Sequence, residues 1–213
     1  MPSSWERLTS VTLDDANSEI ETPTFTPKAF LRVVFNGVNQ SAASNIEFQV
    51  GTGGTGTWDI DYGSGVGNNT HYTWRASDDN DTDATDNGDS KIRLGIPSAS
   101  NEYSYGEIAI KNLSAEYKMF ITDTLTVIAG AGTAPNRREV VGKWENTTGQ
   151  INIMRVFLTQ GGSEFDEGST ITVWGADASA AFYPYYSNGA IFEESDTGKH
   201  YMFDGTDTWN EIT

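Results

Sequence analysis

Apolar and polar residues alternate with period two along most of the chain. Between Asn45 and Val50, Ile46, Phe48 and Val50 fall on one side and Asn45, Glu47 and Gln49 on the other. An extended backbone sends successive side chains to opposite faces, so the alternation predicts a strand with one buried face. Trp58, Ile60 and Tyr62 repeat the pattern, and Ile92 and Leu94 oppose Lys91 and Arg93. Further β-rich runs are AFLRVVF, GEIAIKNL, YKMFITDTLTVI, REVVGKW and INIMRVFL, some apolar on both faces as central strands are. No long stretch combines a 3.6-residue period with helix caps. Roughly ten or more short strands separated by turns predict an all-β fold, an antiparallel two-sheet β-sandwich with a jelly roll as the expected arrangement.

Thr170 to Gly175 reads as a closing strand, with Ile171 and Val173 on one face and Thr170, Thr172 and Trp174 on the other. The chain nevertheless continues. Ala176 to Ala190 carries small residues, Pro184 and the turn pair Asn188-Gly189, which predicts a boundary. A meander of three short strands follows: Ile191 to Glu194, Lys199 to Phe203 and Thr206 to Ile212. The reading is a β-sandwich domain over 1–177 and a C-terminal β-rich assembly segment over 178–213. Three strands this short bury too little to stand alone. Phe192, Tyr201, Phe203 and Trp209 are therefore the expected assembly interface.

Composition supports a packed core, with 37% hydrophobic and 12% aromatic residues among 213. Charge narrows the partners: 13 basic against 30 acidic residues leave a net −17. Such a surface repels phosphate backbones and anionic lipid, so neither nucleic acid nor membrane is an expected partner. The absence of cysteine excludes disulfides, thiolate metal sites and Cys nucleophiles. The opening MPSSWERLTS has neither the basic start nor the apolar run of a signal peptide.

Catalytic patterns fail one by one. GTGGTG, Gly51 to Gly56, has dinucleotide-type glycine spacing, but a strand follows where a helix N-terminus would be needed. His71 and His200 fall in separate strands without a nucleophile elbow. Glu164, Asp166 and Glu167 read as a turn, because adjacent carboxylates on a strand face opposite sides. The protein is not expected to be an enzyme, and no organic cofactor is implied. Asp79, Asp81, Asp83 and Asp86 form the strongest local signal, since alternating carboxylates in a tight loop can gather the oxygens calcium needs. No glycine follows Asp83 and no glutamate closes the loop as in an EF-hand, and a solvated acidic loop is the competing reading. Trp58, Tyr62, Tyr72 and Trp74 flank these loops and are candidates for stacking on a glycan, against the default of core filling.

The stretch Ile151 to Asp177, INIMRVFLTQGGSEFDEGSTITVWGAD, resembles a closing hairpin of virion β-sandwich proteins in tailed phages and related archaeal viruses. The matching positions are Ile151, Ile153, Val156, Phe165, Gly168, Ser169, Ile171, Val173, Trp174 and Gly175, with Trp174 where tyrosine is common. Gly130 to Ile151 is similar to the preceding segment of those proteins, and Trp5 to Phe35 to their first two strands. The ending FEESDTGKHYMFDGTDTWNEI resembles short C-terminal units of phage structural proteins. The resemblance implies a non-enzymatic structural component of a tailed-virus particle: a capsid turret, fibre or decoration protein, or a tail protein. It implies homo-oligomers, contacts with other virion proteins and residence in the virion after synthesis in the host cytoplasm. A carbohydrate-binding module, calcium-dependent or not, is the alternative, with a host surface glycan as partner.

Overall fold

The computed structural model describes residues 5–38, 45–53, 72–78, 84–89, 91–95, 103–127, 132, 134–159, 161–177, 189–194, 198–204 and 208–212. Every regular element among them is a strand. The first seven are β1 (Glu6–Thr12), β2 (Glu19–Glu21), β3 (Phe30–Val38), β4 (Ile46–Gly51), β5 (Tyr72–Asp78), β6 (Ala84–Asp89) and β7 (Ile92–Gly95). Then come β8 (Tyr103–Lys111), β9 (Lys118–Thr126), β10 (Asn136–Trp144), β11 (Ile153–Leu158) and β12 (Thr170–Ala176). The last three are β13 (Ile191–Glu194), β14 (Lys199–Phe203) and β15 (Trp209–Ile212).

Two antiparallel sheets form the sandwich. The larger has the order β1-β12-β3-β8-β9-β10-β5-β6, the smaller β2-β11-β4-β7. Their pairs nest: β1 joins β12, β2 joins β11, β3 joins β8 and β4 joins β7. A single antiparallel ribbon folded over on itself produces this nesting. Two hairpins are added to it, β5–β6 between β4 and β7 and β9–β10 between β8 and β11. Both extend the larger sheet beyond β8.

Alternation places the core between the sheets. Leu31, Val33 and Phe35 of β3, Ile108 and Ile110 of β8, and Ile171 and Val173 of β12 turn inward. Ile46, Phe48 and Val50 of β4 and Met154 and Val156 of β11 meet them. Aromatic rings fill the widest part of the interior. Tyr72 stacks on Trp144 at 6.4 Å, and Phe120 meets Phe48 edge-on at 6.2 Å.

At one end, Phe35 meets Phe165 edge-on at 5.5 Å, and Gly37 lies against both rings. A Cβ at Gly37 would stand 2.4 Å from Phe35 Cζ and 3.2 Å from Phe165 Cδ1. Gly37→Ala is therefore expected to cost about 1–3 kcal/mol by overpacking, read as a lower urea midpoint.

Asn112, just after β8, ties the two sheets together from a fully buried position. Its amide donates to the carbonyls of Lys28 (3.0 Å) and Ile151 (3.1 Å), while its Oδ1 accepts from the Ile151 N–H at 2.7 Å. Lys118 is another buried polar anchor. Its ammonium donates to the carbonyls of Glu116 (2.8 Å) and Asn146 (2.9 Å), and burial lowers its pKa. Glu47 is buried on β4 beside Lys91 at 2.7 Å and Arg93 at 3.9 Å, so its charge is matched.

Candidate functional site

Two surfaces carry more exposed apolar area than a free monomer's strands require. The first is the third sheet, β13-β14-β15, none of whose strands pairs with a strand of the sandwich. Its register aligns Phe192 with Tyr201 and Phe203 with Trp209, so these four rings share one face. They touch in sequence: Tyr201–Phe192 at 6.4 Å, Phe192–Trp209 at 6.1 Å and Trp209–Phe203 at 5.2 Å. The four predicted interface residues are thus brought together. Phe203 is buried, however, and the cluster serves partly as this small sheet's own core. The opposite face presents Ile191, Met202 and Ile212, all exposed, beside the pair His200–Glu193 at 3.9 Å. Sequence reasoning missed these three aliphatics, although their alternation with the aromatics was there to be read.

The second surface is the outer face of the larger sheet, where β9 has inverted polarity. It buries Lys118, Thr122, Thr124 and Thr126 along with Phe120, and exposes Met119, Ile121 and Leu125, as well as Val127 just beyond the strand. Its neighbours impose this parity. Ile108 and Val140 lie opposite Thr122, Ile110 opposite Phe120 and Trp144 opposite Lys118. Because β8 and β10 must bury those large residues, β9 must turn the same register inward. Its other apolar residues then face out, with Ile121 65% exposed.

Across β8, β9 and β10 the outward positions form four bands. Lys111, Met119 and Lys143 make the first, Ala109, Ile121 and Val141 the second, Glu107, Asp123 and Glu139 the third, and Tyr105, Leu125 and Arg137 the fourth. Three carboxylates side by side repel one another, and arginines flank them. Arg32 reaches Glu107 at 2.5 Å, while Arg137 meets Asp123 at 3.3 Å and also pairs with Glu139. The Tyr105 hydroxyl donates to Glu107 at 2.7 Å. That bond first, and Arg32 second, hold the Glu107 carboxyl below the usual carboxylate range. Glu107 is therefore charged at neutral pH and is no proton donor for hydrolysis. A depression of about 600 Å³ lies over the second and third bands, lined by Arg32, Glu107, Ala109, Ile121, Val141 and Trp5.

Other predicted residues fare differently. Tyr72 is a correction: it has no exposed surface, and its hydroxyl accepts from the Val50 N–H at 2.9 Å. It also donates to the Val50 carbonyl at 3.3 Å, so its ring joins the two sheets and is closed to sugar. Trp74 falls in β5 opposite Gly142 and Asp86. Trp58 and Tyr62, and likewise Asp79, Asp81 and Asp83, lie outside the described residues, while Asp86 lies in β6. Among the described residues, no three His, Cys, Asp or Glu side chains gather as a metal site. Asp166, Glu167 and Gly168 form a turn before β12, with Gly168 at φ 84° and Asp166 Oδ1 accepting from the Glu167 N–H.

No family model and no curated protein matches the chain. Among solved structures, an endo-β-1,4-glucuronan lyase from the fungus Trichoderma reesei aligns at 13% identity over 81% of this chain and 87% of that one. The TM-score is 0.24, too low to carry an argument about fold or function.

Proposed function

We propose that this chain is a non-enzymatic structural component of a tailed-virus particle, a capsid turret, fibre or decoration protein or a tail protein, acting through protein–protein assembly. The observation that carries the reading is the C-terminal sheet: three short strands, apolar on both faces, that form a sheet of their own and pair with no strand of the sandwich. A patch of this kind is a hazard for a free chain and a joint for an assembled one. The nested pairing gives support, since nested antiparallel pairs are what a jelly roll would require, and that architecture is used by capsid proteins and by lectins. The net charge of −17 favours an outward or tail station, away from packaged nucleic acid. The partners on this reading are copies of the same chain and other virion proteins. Mass spectrometry of gradient-purified particles tests it: the protein is expected as a stoichiometric component, and its absence from particles whose genome encodes it would reject the assignment.

The depression that Trp5 helps to line favours a second reading, a carbohydrate-binding module. An exposed indole beside carboxylates and arginines offers a ring to stack on and fixed partners for hydroxyls. This surface differs from the loops the sequence suggested. Calcium at the acidic loop belongs with the same reading, and unchanged melting on chelation would remove it.

A further inference from the structure

We infer that the outer face of the larger sheet is a twofold interface, on which a second copy of this chain docks face to face with its strands running antiparallel to the first. The inference rests on the assembly reading and names a joint for it, separate from the C-terminal sheet. The first observation is the inverted polarity of β9, which leaves Met119, Ile121, Leu125 and Val127 exposed while threonines face the interior. A strand that spends its aliphatic residues outward gains hydrophobic stabilisation only when something covers them.

The second observation identifies the cover. Along β8 and β10 the outward residues run basic, apolar, acidic, and along β9 Met119, Ile121, Asp123, with Tyr105, Leu125 and Arg137 beyond the acidic band. A twofold axis lying along the Ala109–Ile121–Val141 band, across the strands, leaves that band facing its own copy. The same rotation carries the acidic band of one chain over the basic band of the other. Glu107 then faces Lys111 of the second copy, Glu139 faces Lys143, and Asp123 faces Met119. An isologous contact requires a surface complementary to itself, and this order of bands is one. Face-to-face sheets pack about 10 Å apart with strands nearly aligned, which this axis allows. Three strands about 4.8 Å apart, with three outward residues every ~6.8 Å along each, make a central patch on the order of 300 Å² before side-chain relief. The flanking surface of the sheet has to supply the rest of the roughly 800 Å² per partner of a standard interface. The Lys and Glu side chains already pair within the chain, Lys111 with Glu116 at 2.5 Å and Lys143 with Glu145 at 2.5 Å, so docking exchanges or shares partners rather than burying bare charge.

The chain has no cysteine, so one introduced thiol reports cleanly. In the full-length protein, Ile121→Cys lies on the proposed axis and Leu125→Cys well off it. A short bismaleimide is expected to give a covalent dimer with Ile121→Cys and about tenfold less with Leu125→Cys. Adding Glu107→Lys with Glu139→Lys makes both bands beside the axis basic. Adding Lys111→Glu with Lys143→Glu makes both acidic. Each reversal alone is expected to lower the Ile121→Cys cross-link about tenfold or more, because like charges then face each other. Mixing the two reversed proteins restores complementarity in both bands, and the cross-link should return between unlike chains. Recovery on mixing also shows that the reversed chains are folded. Equal yields at Ile121→Cys and Leu125→Cys, or a yield indifferent to the reversals, overturn the face-to-face dimer while leaving assembly through the C-terminal sheet intact. If no variant cross-links and the unmodified chain sediments as a monomer, both fail. A neutral oligosaccharide that binds the monomer and shields Ile121→Cys from alkylation would replace the second copy as the occupant.

Discussion

Asn112→Leu is expected to lower the unfolding free energy by about 3–5 kcal/mol, a large part of the ~5–15 kcal/mol that holds a domain of this kind together. Leucine keeps the branched outline but is bulkier, so overpacking adds to the loss, while the backbone bonds at this position survive. The Asn112 N–H still donates to Ala29 at 2.7 Å, and its carbonyl still accepts from Gln150 at 2.8 Å. What disappears is the side-chain amide. The Ile151 N–H, the Ile151 carbonyl and the Lys28 carbonyl lose its bonds in a site closed to water. A buried polar group left without a partner costs about 1–3 kcal/mol, and neighbouring losses are not additive. The bonds lost join the end of β8 to the approaches of β3 and β11, across the two sheets. The unfolding midpoint in urea should therefore fall with little change in slope. A loss under about 1 kcal/mol would mean that this amide does not link the sheets.

Removal of residues 178–213 is expected to leave a folded sandwich that keeps the face-to-face dimer of the larger sheet and loses the higher association made through the C-terminal sheet. Every strand of both sandwich sheets lies before Asp177, and the last of them, β12, ends at Ala176. The removed sheet contributes Ile191 at 64% exposure, Phe192 at 52%, Met202 at 42% and Ile212 at 36%. Covering side chains of this size against a partner removes several hundred Å² of apolar surface, at roughly 25 cal/mol per Å² a gross gain of order 10 kcal/mol before ordering costs. Circular dichroism checks the sandwich and sedimentation the association. An unfolded truncated chain would place the segment in the core. Undiminished association would assign the joint elsewhere.

Where hydropathy and burial agree, the strands follow from the sequence. In β12 the alternation puts Ile171 and Val173 inside, whereas in β4 it places Ile46, Phe48 and Val50 in the core but not the burial of Glu47 and Gln49 on the other face. The three-stranded meander also falls where its turn pairs predict, apart from a later start of the final strand at Trp209. In β9 the period is plain but its sign is not, because aliphatics at 119, 121 and 125 compete with Phe120. Only the pairing with Ile108, Val140 and Trp144 decides which set goes inside, and that is a tertiary choice. The bands on the outer face are equally invisible along the chain, since each is assembled from three strands. Tyr72 shows the opposite error: an aromatic beside a polar loop looks available, yet its hydroxyl is spent on Val50 across the core. Asn112 has the sequence appearance of a turn residue after a strand, and only the fold supplies its three partners.

The account rests on self-association, and sedimentation of the purified intact chain over a wide concentration range tests it most directly. The expected result is a discrete oligomer whose mass is a whole multiple of 23.2 kDa and which dissociates on dilution. A single species of 23.2 kDa at every concentration, up to the solubility limit, would contradict it.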